Sequence, residues 1–436
     1  MNKTLTRILS GLGANMFGQG VTIGIQLLSL PLFLHFWSIS RYGEWLLISA
    51  IPSYLSMADL GLVAVGMNRM TMLAAAEDFE GAERVFHTML GITIGVISVV
   101  ALGGVPLIVL WSLVYSGMGA EQTLALVLLL VASLASIYTG VFDAVFRSSG
   151  DYSQGVYALN AVRLAEWVGS ISGLVIGGTL VSVSCGLLAG RLLGNTATWI
   201  YLAWRYPRYT WNLKKATRQE FRILLMPGLK FMALPAGNAL SIQGMVILVG
   251  MMFGPVVLTV FSTYRTLSRT TVQVINMLSR VLWPEFSRQY GRSDFGKVRE
   301  LYGWGTVAAV CTSLCGAWLL AMFGEIVLGW WTHGKVAYDP GLFRLFVMVT
   351  ACTGFWQVGM ILLTAVNELG TLSLIYLVFS ALSVGVAFVA GKMLGVEGVV
   401  LVLLIFEIAM AVFCYRFVKS FFAREDRPAP SVPANG

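Results

Sequence analysis

The chain has 436 residues, of which 57% are hydrophobic and only 11% are Asp, Glu, Lys or Arg, with a formal net charge of +8. Soluble domains carry roughly 25% charged residues, so this composition cannot cover a chain of this length with a water-facing surface, and a soluble enzyme, a nucleic-acid-binding domain and a disordered chain are excluded. Plentiful glycine (47) and tryptophan (13) suit helices packed closely in lipid with aromatic anchors at its interfaces, which defines a polytopic membrane protein.

At the N-terminus, Lys3 and Arg7 precede an apolar run too long for the apolar region of a signal peptide, so it reads as a first membrane helix. A membrane helix needs about 20 predominantly apolar residues. Apolar runs between charged or turn-forming breaks predict about twelve spans. The first half supplies 9–37, 43–70, 86–115, 122–146, 155–178 and 182–204; the second supplies 223–251, 255–282, 303–330, 341–366, 370–391 and 396–417. The expected fold class is all-α, in two six-helix lobes. With the N-terminus placed in the cytoplasm, twenty Lys and Arg fall in inside loops and tails, against Arg41, Lys335 and Lys392 outside. Six others, Arg163, Arg191, Lys230, Arg265, Arg269 and Arg344, lie within or at the edge of spans. This asymmetry predicts an even number of spans with both termini cytoplasmic.

The longest polar connection, 205–222, is rich in Lys and Arg and bisects the chain. It separates an N-terminal lobe (1–204) from a C-terminal lobe (223–417), and a polar, proline-rich tail (418–436) reads as disordered. The halves look duplicated. Asp78-Phe79-Glu80-Gly81 after the second span resembles Asp294-Phe295-Gly296-Lys297 after the eighth, and Asn15 and Gln19 find rough counterparts in Asn238 and Gln243. Paired bundles with a site between them are a common transporter plan.

Polar and ionisable residues inside a membrane are costly unless they face a partner or a wet cavity. In the eighth span Ser262, Arg265, Arg269, Gln273, Asn276 and Arg280 recur at spacings of three and four on one helix face. Counted from Pro255, Arg265 lies about 15 Å deep and Arg269 about 21 Å deep, near the bilayer midplane. The first span carries a neutral stripe of Asn15, Gln19, Thr22, Gln26 and Ser29, and the two faces are expected to line one aqueous cavity, with Arg191 of the sixth span adding a further charge. The competing structural reading has the arginines capping carbonyls or pairing with acids such as Glu166 or Glu407. Arg163 and Glu166, three apart, are expected to neutralise each other, and Asp59 is expected to pair with Arg69 or to hold a cation. Lys230 is expected to snorkel to the interface.

Midplane guanidiniums suit an anionic guest such as a diphosphate, because Arg binds phosphate oxygens bidentately and stays charged. Five cysteines in apolar stretches without a CxxC pair, and only three histidines, argue for packing and against a metal site. No GxxxxGK[ST] sequence is present, so no ATP-driven motor resides in the chain. No Ser/His/Asp or zinc pattern appears either, and no cofactor is expected.

In the N-terminal third the residues become recognisable. Asn15, Gln19 and Pro31, then Arg41-Tyr42-Gly43-Glu44-Trp45 and Ala58-Asp59-Leu60-Gly61-Leu62, resemble the polysaccharide transporter family. These are the Wzx-like O-antigen and exopolysaccharide flippases of the MOP (multidrug/oligosaccharidyl-lipid/polysaccharide) superfamily. The resemblance is sharpest over 10–90. It implies a MATE-like fold in the bacterial cytoplasmic (inner) membrane, with two six-helix lobes in a V and spans one, two, seven and eight around a central cavity. It further implies alternating access that carries a polyprenyl-diphosphate-linked oligosaccharide, with a polysaccharide polymerase and glycosyltransferases as partners and a monomeric state. By position in span eight, Arg265 and Arg269 would supply the cationic cavity. Two other readings stand beside this one. A multidrug or cation antiporter of the same fold would use Asp59 or Glu407 for the coupling ion. A non-transporting membrane scaffold for glycan enzymes would need no wet cavity.

Overall fold

Two glycines set the course of the second half. Gly254 (φ 79°) and Gly395 (φ 66°) adopt backbone conformations that L side chains rarely take. Each breaks a long helical run, α10 (Met245–Gly291) and α13 (Gly370–Glu425) respectively. Both breaks fall between spans separated on sequence grounds, 223–251 from 255–282 and 370–391 from 396–417. Pro255 follows Gly254 directly, where its missing N–H costs nothing at a helix start.

The structure, a computed structural model, describes residues 3–55, 60–114, 119–366 and 370–425, and among them it is built of helices and turns alone. The chain forms two units, Met1–Ala239 and Leu240–Gly436. The first contains α1 (Lys3–Phe36), α2 (Ile39–Leu55), α3 (Leu60–Ala75), α4 (Phe79–Val114), α5 (Ala120–Ser148), α6 (Tyr152–Gly177), α7 (Leu180–Arg205), α8 (Arg218–Phe231) and α9 (Ala233–Ala239). The second contains a π-helical turn (Leu240–Gly244), α10, α11 (Phe295–Trp331), α12 (Pro340–Ala365) and α13. Among the described residues nine stretches are long and apolar enough to cross a membrane. Two of these carry the glycine breaks and supply two legs each. With the predicted span 43–70 falling on α2 and α3, this multi-pass protein fits a plan of about twelve helices.

Glycine also sets how closely helices approach. Gly169, Gly173 and Gly177 on α6 and Gly186, Gly190 and Gly194 on α7 recur every four residues. A Cβ added at Gly169 would lie 2.1 Å from the Gly186 carbonyl oxygen, and one at Gly190 would lie 2.1 Å from that of Ala165. The two backbones are in direct contact, as small-xxx-small patterns allow in lipid, where close van der Waals packing replaces a hydrophobic drive. The same logic explains Gly61, whose added Cβ would meet the Gly228 oxygen at 1.8 Å where α3 crosses α8.

The Arg41–Trp45 segment is a structural junction. Arg41 bridges Glu44 (3.1 Å) and Glu121, and Glu121 accepts a hydrogen bond from the Leu180 N–H (2.8 Å) at the start of α7. Trp37 and Trp45 pack with Phe33, and the Trp37 indole N–H donates to the Gly178 carbonyl (2.6 Å). One short segment thereby ties together the starts of α2, α5 and α7.

The basic segment 205–222 packs against the first unit. His87 on α4 accepts from the Lys215 N–H (3.1 Å), Lys215 pairs with Glu83 (2.7 Å), and Trp211 sits edge-on to Phe86. Burial and a hydrogen bond to Asp151 push the Tyr206 phenol well above its ordinary range. Arg69 makes a two-pronged bond to Glu220 (2.8 and 3.2 Å), which anchors α8 on α3. Asp59 lies outside the described residues.

The suspected duplication has a local geometric echo. Glu77 (φ 62°) and Ser293 (φ 57°) both take left-handed backbone. The next residues, Asp78 and Asp294, cap α4 and α11 through their Oδ1 atoms, to Gly81 N (2.8 Å) and Lys297 N (3.1 Å). At the C-terminus the structure departs from expectation. Residues 418–425, read as the start of a disordered tail, continue α13, because Val418, Phe421 and Phe422 bury a helical face against Tyr290 and Tyr302.

The α6–α7 contact makes a direct forecast. Gly190→Leu should lower thermal stability in detergent by at least the ~1–3 kcal/mol typical of overpacking. Gly24→Ala, where an added Cβ meets nothing within 4 Å, should leave it unchanged or up to about 1 kcal/mol higher. Thermal unfolding of the two purified variants checks both.

Candidate functional site

In the first unit, the polar stripe of α1 is engaged by α6. The Tyr152 hydroxyl donates to Asn15 Oδ1 (3.1 Å), Arg163 donates to Thr22 Oγ1 (2.7 Å), and the Trp167 indole N–H donates to Ser29 Oγ (3.0 Å). Asn15, Thr22 and Ser29 recur every seven residues and so return to one face, which meets α6. Gln19 is half-buried and Gln26 exposed on the same helix.

Arg163 therefore does not neutralise Glu166. The Glu166 carboxylate instead pairs with Arg191 of α7, across the helix pair that the glycines hold together. Arg191 is thus an ion-paired residue, which is one of the structural alternatives, and its Nε is buried without a hydrogen-bond partner. Sequence spacing pointed to an intrahelical pair three residues apart. The backbone approach of α6 to α7 brings the residue twenty-five positions away nearer.

In the second unit the arginine stripe of α10 divides. Arg265 is half-buried, and its Nη1 and Nη2 donate to the carbonyls of Ile242 (3.0 Å) and Ser241 (2.8 Å) in the π-helical turn. A π turn strains the regular carbonyl pattern of a helix, and the planar guanidinium fork satisfies two of its oxygens together. This is the carbonyl-capping reading. Arg269, one turn further on, is exposed, as is Asn276, while Gln273 is half-buried. The side chain of Arg280 is not among those described.

Glu407 of α13 stands beside these arginines. Its Oε2 accepts from the Trp356 indole N–H (2.6 Å) of α12, Thr353 adds a side-chain hydrogen bond, and both Arg265 and Arg269 interact with it electrostatically. Tyr376 of α13 packs against Trp356 and shares the same charges. Trp356, Thr353 and Tyr376 were not legible as site residues. Trp356 lies 51 residues from Glu407, and no periodicity within one helix pairs them. Among the described residues no group of three or more His, Cys, Asp or Glu is placed to hold a metal ion. All five cysteines are free, and buried Cys414 donates to the Trp356 carbonyl (3.4 Å).

Chemically, this cluster in the second unit holds an exposed guanidinium (Arg269), a second that caps backbone carbonyls (Arg265) and a carboxylate held by an indole (Glu407). The architecture is that of the multidrug and toxin extrusion (MATE) transporters of the MOP superfamily. An inward-facing multidrug resistance MATE family transporter of that superfamily superposes with a TM-score of 0.75 at 17% identity, covering 92% of this chain and 98% of its own. A MOP superfamily transporter from Pyrococcus furiosus, described as having a binding pocket of reverse polarity that suggests a different function, gives 0.69 at 16% identity over 97% and 96%. A MATE bound to MaL6 gives 0.68 at 16% identity over 96% and 97%. No curated protein matches the sequence.

By sequence, residues 164–323 match the family described as polysaccharide biosynthesis protein. This stretch runs from α6 to α11 and includes Arg191, Arg265, Arg269, Gln273 and Asn276. The fold is one shared with solved membrane transporters.

The Glu166–Arg191 pair is open to a double-mutant test. Arg191→Ala should destabilise the purified protein by about 3–5 kcal/mol, because it leaves a carboxylate without its partner in a low-dielectric setting. Glu166→Gln combined with Arg191→Met should recover most of that loss. Midpoints of thermal unfolding for the single and double variants measure the coupling.

Proposed function

We propose that this transporter is a flippase, moving a polyprenyl-diphosphate-linked oligosaccharide across the bacterial cytoplasmic membrane by alternating access during the synthesis of surface polysaccharide such as O-antigen or exopolysaccharide. The observation that carries this reading is the exposed guanidinium of Arg269, deep in an apolar helix. An Arg at that depth is costly unless it serves a substrate or a wet path. Arg269 contacts the diphosphate, with Gln273 and Asn276 on the same face of α10. Arg265 is a positioning residue, since it holds the π-turn carbonyls and keeps the α10 face in register. Arg191, ion-paired in the first unit, is left a structural part.

The family match at 164–323 supports polysaccharide synthesis as the setting. The pocket polarity described for the Pyrococcus transporter supports the idea that charge within this fold selects cargo. Both termini lie in the cytoplasm on the strength of the Lys and Arg distribution. Polysaccharide polymerase and glycosyltransferases are the expected neighbours, and the transporter acts as a monomer.

Two expectations follow. In liposomes loaded with a defined diphosphate-linked oligosaccharide, Arg269→Ala should cut translocation at least about tenfold at unchanged protein level, since a charged hydrogen bond contributes about 1.5–3 kcal/mol. Normal translocation by folded Arg269→Ala protein would sink the assignment, and running the assay with and without an ion gradient reports the coupling. A drug–cation antiporter, by contrast, would rely on Glu407, which here is held by Trp356 and Thr353. Glu407→Gln should therefore leave drug susceptibility of producing cells unchanged, and a several-fold loss of resistance would favour the antiporter.

A further inference from the structure

The first unit carries a cleft with no part in that reading. It lies between α4 and the start of α8, with a volume of about 730 Å³. Its floor is α4 at Gly91 and Gly95. A Cβ added at Gly95 would meet nothing within 4 Å, and one at Gly91 only Leu213 at 3.6 Å, so the trough is open and not a helix-packing seam. Val96, Val99 and Phe221 give it apolar walls, and Val99 is 73% exposed. One end is polar, where Arg218 joins Thr88 and Thr217 at the rim.

The rim has the charge that such a trough needs to hold an anion. Within 205–222, Lys215 is paired with Glu83, while Arg205 and Arg208 lie over the rings of Tyr206 and Phe79. The one acid of the segment, Glu220, is taken by Arg69. Exposed Arg218, Arg222 and Lys214 have no carboxylate partner among the described residues. Basic residues flanking a membrane helix attract anionic lipid, each by about 1 kcal/mol near the surface. The length of the trough also fits. From Thr88 to Val99 the helix rises about 16 Å, close to one leaflet of a hydrocarbon core about 30 Å thick.

We infer that the α4–α8 cleft is a binding site for an anionic phospholipid, with one acyl chain in the Gly91–Gly95 trough and the phosphate at Arg218. A single-leaflet trough suits an acyl chain better than a polyprenyl chain, and the site is independent of the substrate role of Arg269. Its occupant braces α8 against α4, where the basic segment already docks through His87 and Lys215.

Native mass spectrometry of the full-length protein, delipidated and then given phosphatidylglycerol, phosphatidylcholine or a polyprenyl diphosphate in micelles, tests the site. Wild type should retain phosphatidylglycerol at least about fivefold over phosphatidylcholine, and Arg218→Gln should remove about that factor, as expected for one basic group at a lipid surface. Gly95→Leu should reduce retention of both phospholipids by filling the trough. Thermal unfolding without added lipid shows that each variant is folded, and exposed Arg218→Gln carries the test if Gly95→Leu is not. Equal retention of the two phospholipids by wild type, unchanged retention by folded Arg218→Gln, or preferential retention of the polyprenyl diphosphate would each overturn the assignment.

Discussion

Hydrocarbon offers no hydrogen-bond partners, so each polar group set into a membrane helix must find one inside the protein or face a water-filled space. The packing of this protein follows from that constraint. Asn15, Thr22 and Ser29 would each be costly on a lipid-facing α1, and their partners Tyr152, Arg163 and Trp167 fix the register of α6 against it. Glu166 and Arg191 could not both remain charged apart. Their pairing is possible because glycine lets α6 and α7 approach to backbone contact. Removing side chains at six positions thus makes room for the ion pair.

The same constraint separates two arginines that look equivalent. Arg265 and Arg269 sit one turn apart on α10 with the same side-chain chemistry. Arg265 has two carbonyls within reach, those of Ser241 and Ile242, freed by the irregular hydrogen bonding of a π turn. It is consumed by structure. Arg269 is exposed beside Glu407, and the electrostatic field of Arg265 reaches the same carboxylate. One residue of this face thus caps the backbone and the next stays exposed. Trp356 matters here because its indole N–H, with Thr353, holds the Glu407 carboxylate in place.

Much of the architecture was legible before any coordinates. Apolar run length located the helices, and the breaks at Gly254 and Gly395 coincide with gaps between predicted spans, since a left-handed backbone calls for glycine and Pro255 marks a helix start. The Asp78 and Asp294 turns were visible as a weak repeat, and their shared capping geometry gives that repeat a physical content. The Arg41–Trp45 segment was recognised by resemblance alone. Its work, a hub of ion pairs and packed aromatic rings joining three helix starts, could not be read from the motif. The glycine pattern of α6 and α7 is a four-residue recurrence among 47 glycines, and only the packed helix pair shows that it is a contact face.

What the sequence determined by itself is what depends on local chemistry: span length, the interruptions, the charge asymmetry of the loops and the presence of guanidiniums at depth. These follow from the length scale of the bilayer and from residue-by-residue transfer costs, which need no knowledge of neighbours. Tertiary structure alone decided which charge meets which partner. Glu166 took Arg191 over Arg163, Glu220 took Arg69, and the π turn took Arg265, leaving Arg269 exposed. Each choice was made by helices far apart in sequence, and in a low-dielectric medium the energy of a charge is set almost entirely by what lies within a few ångströms of it.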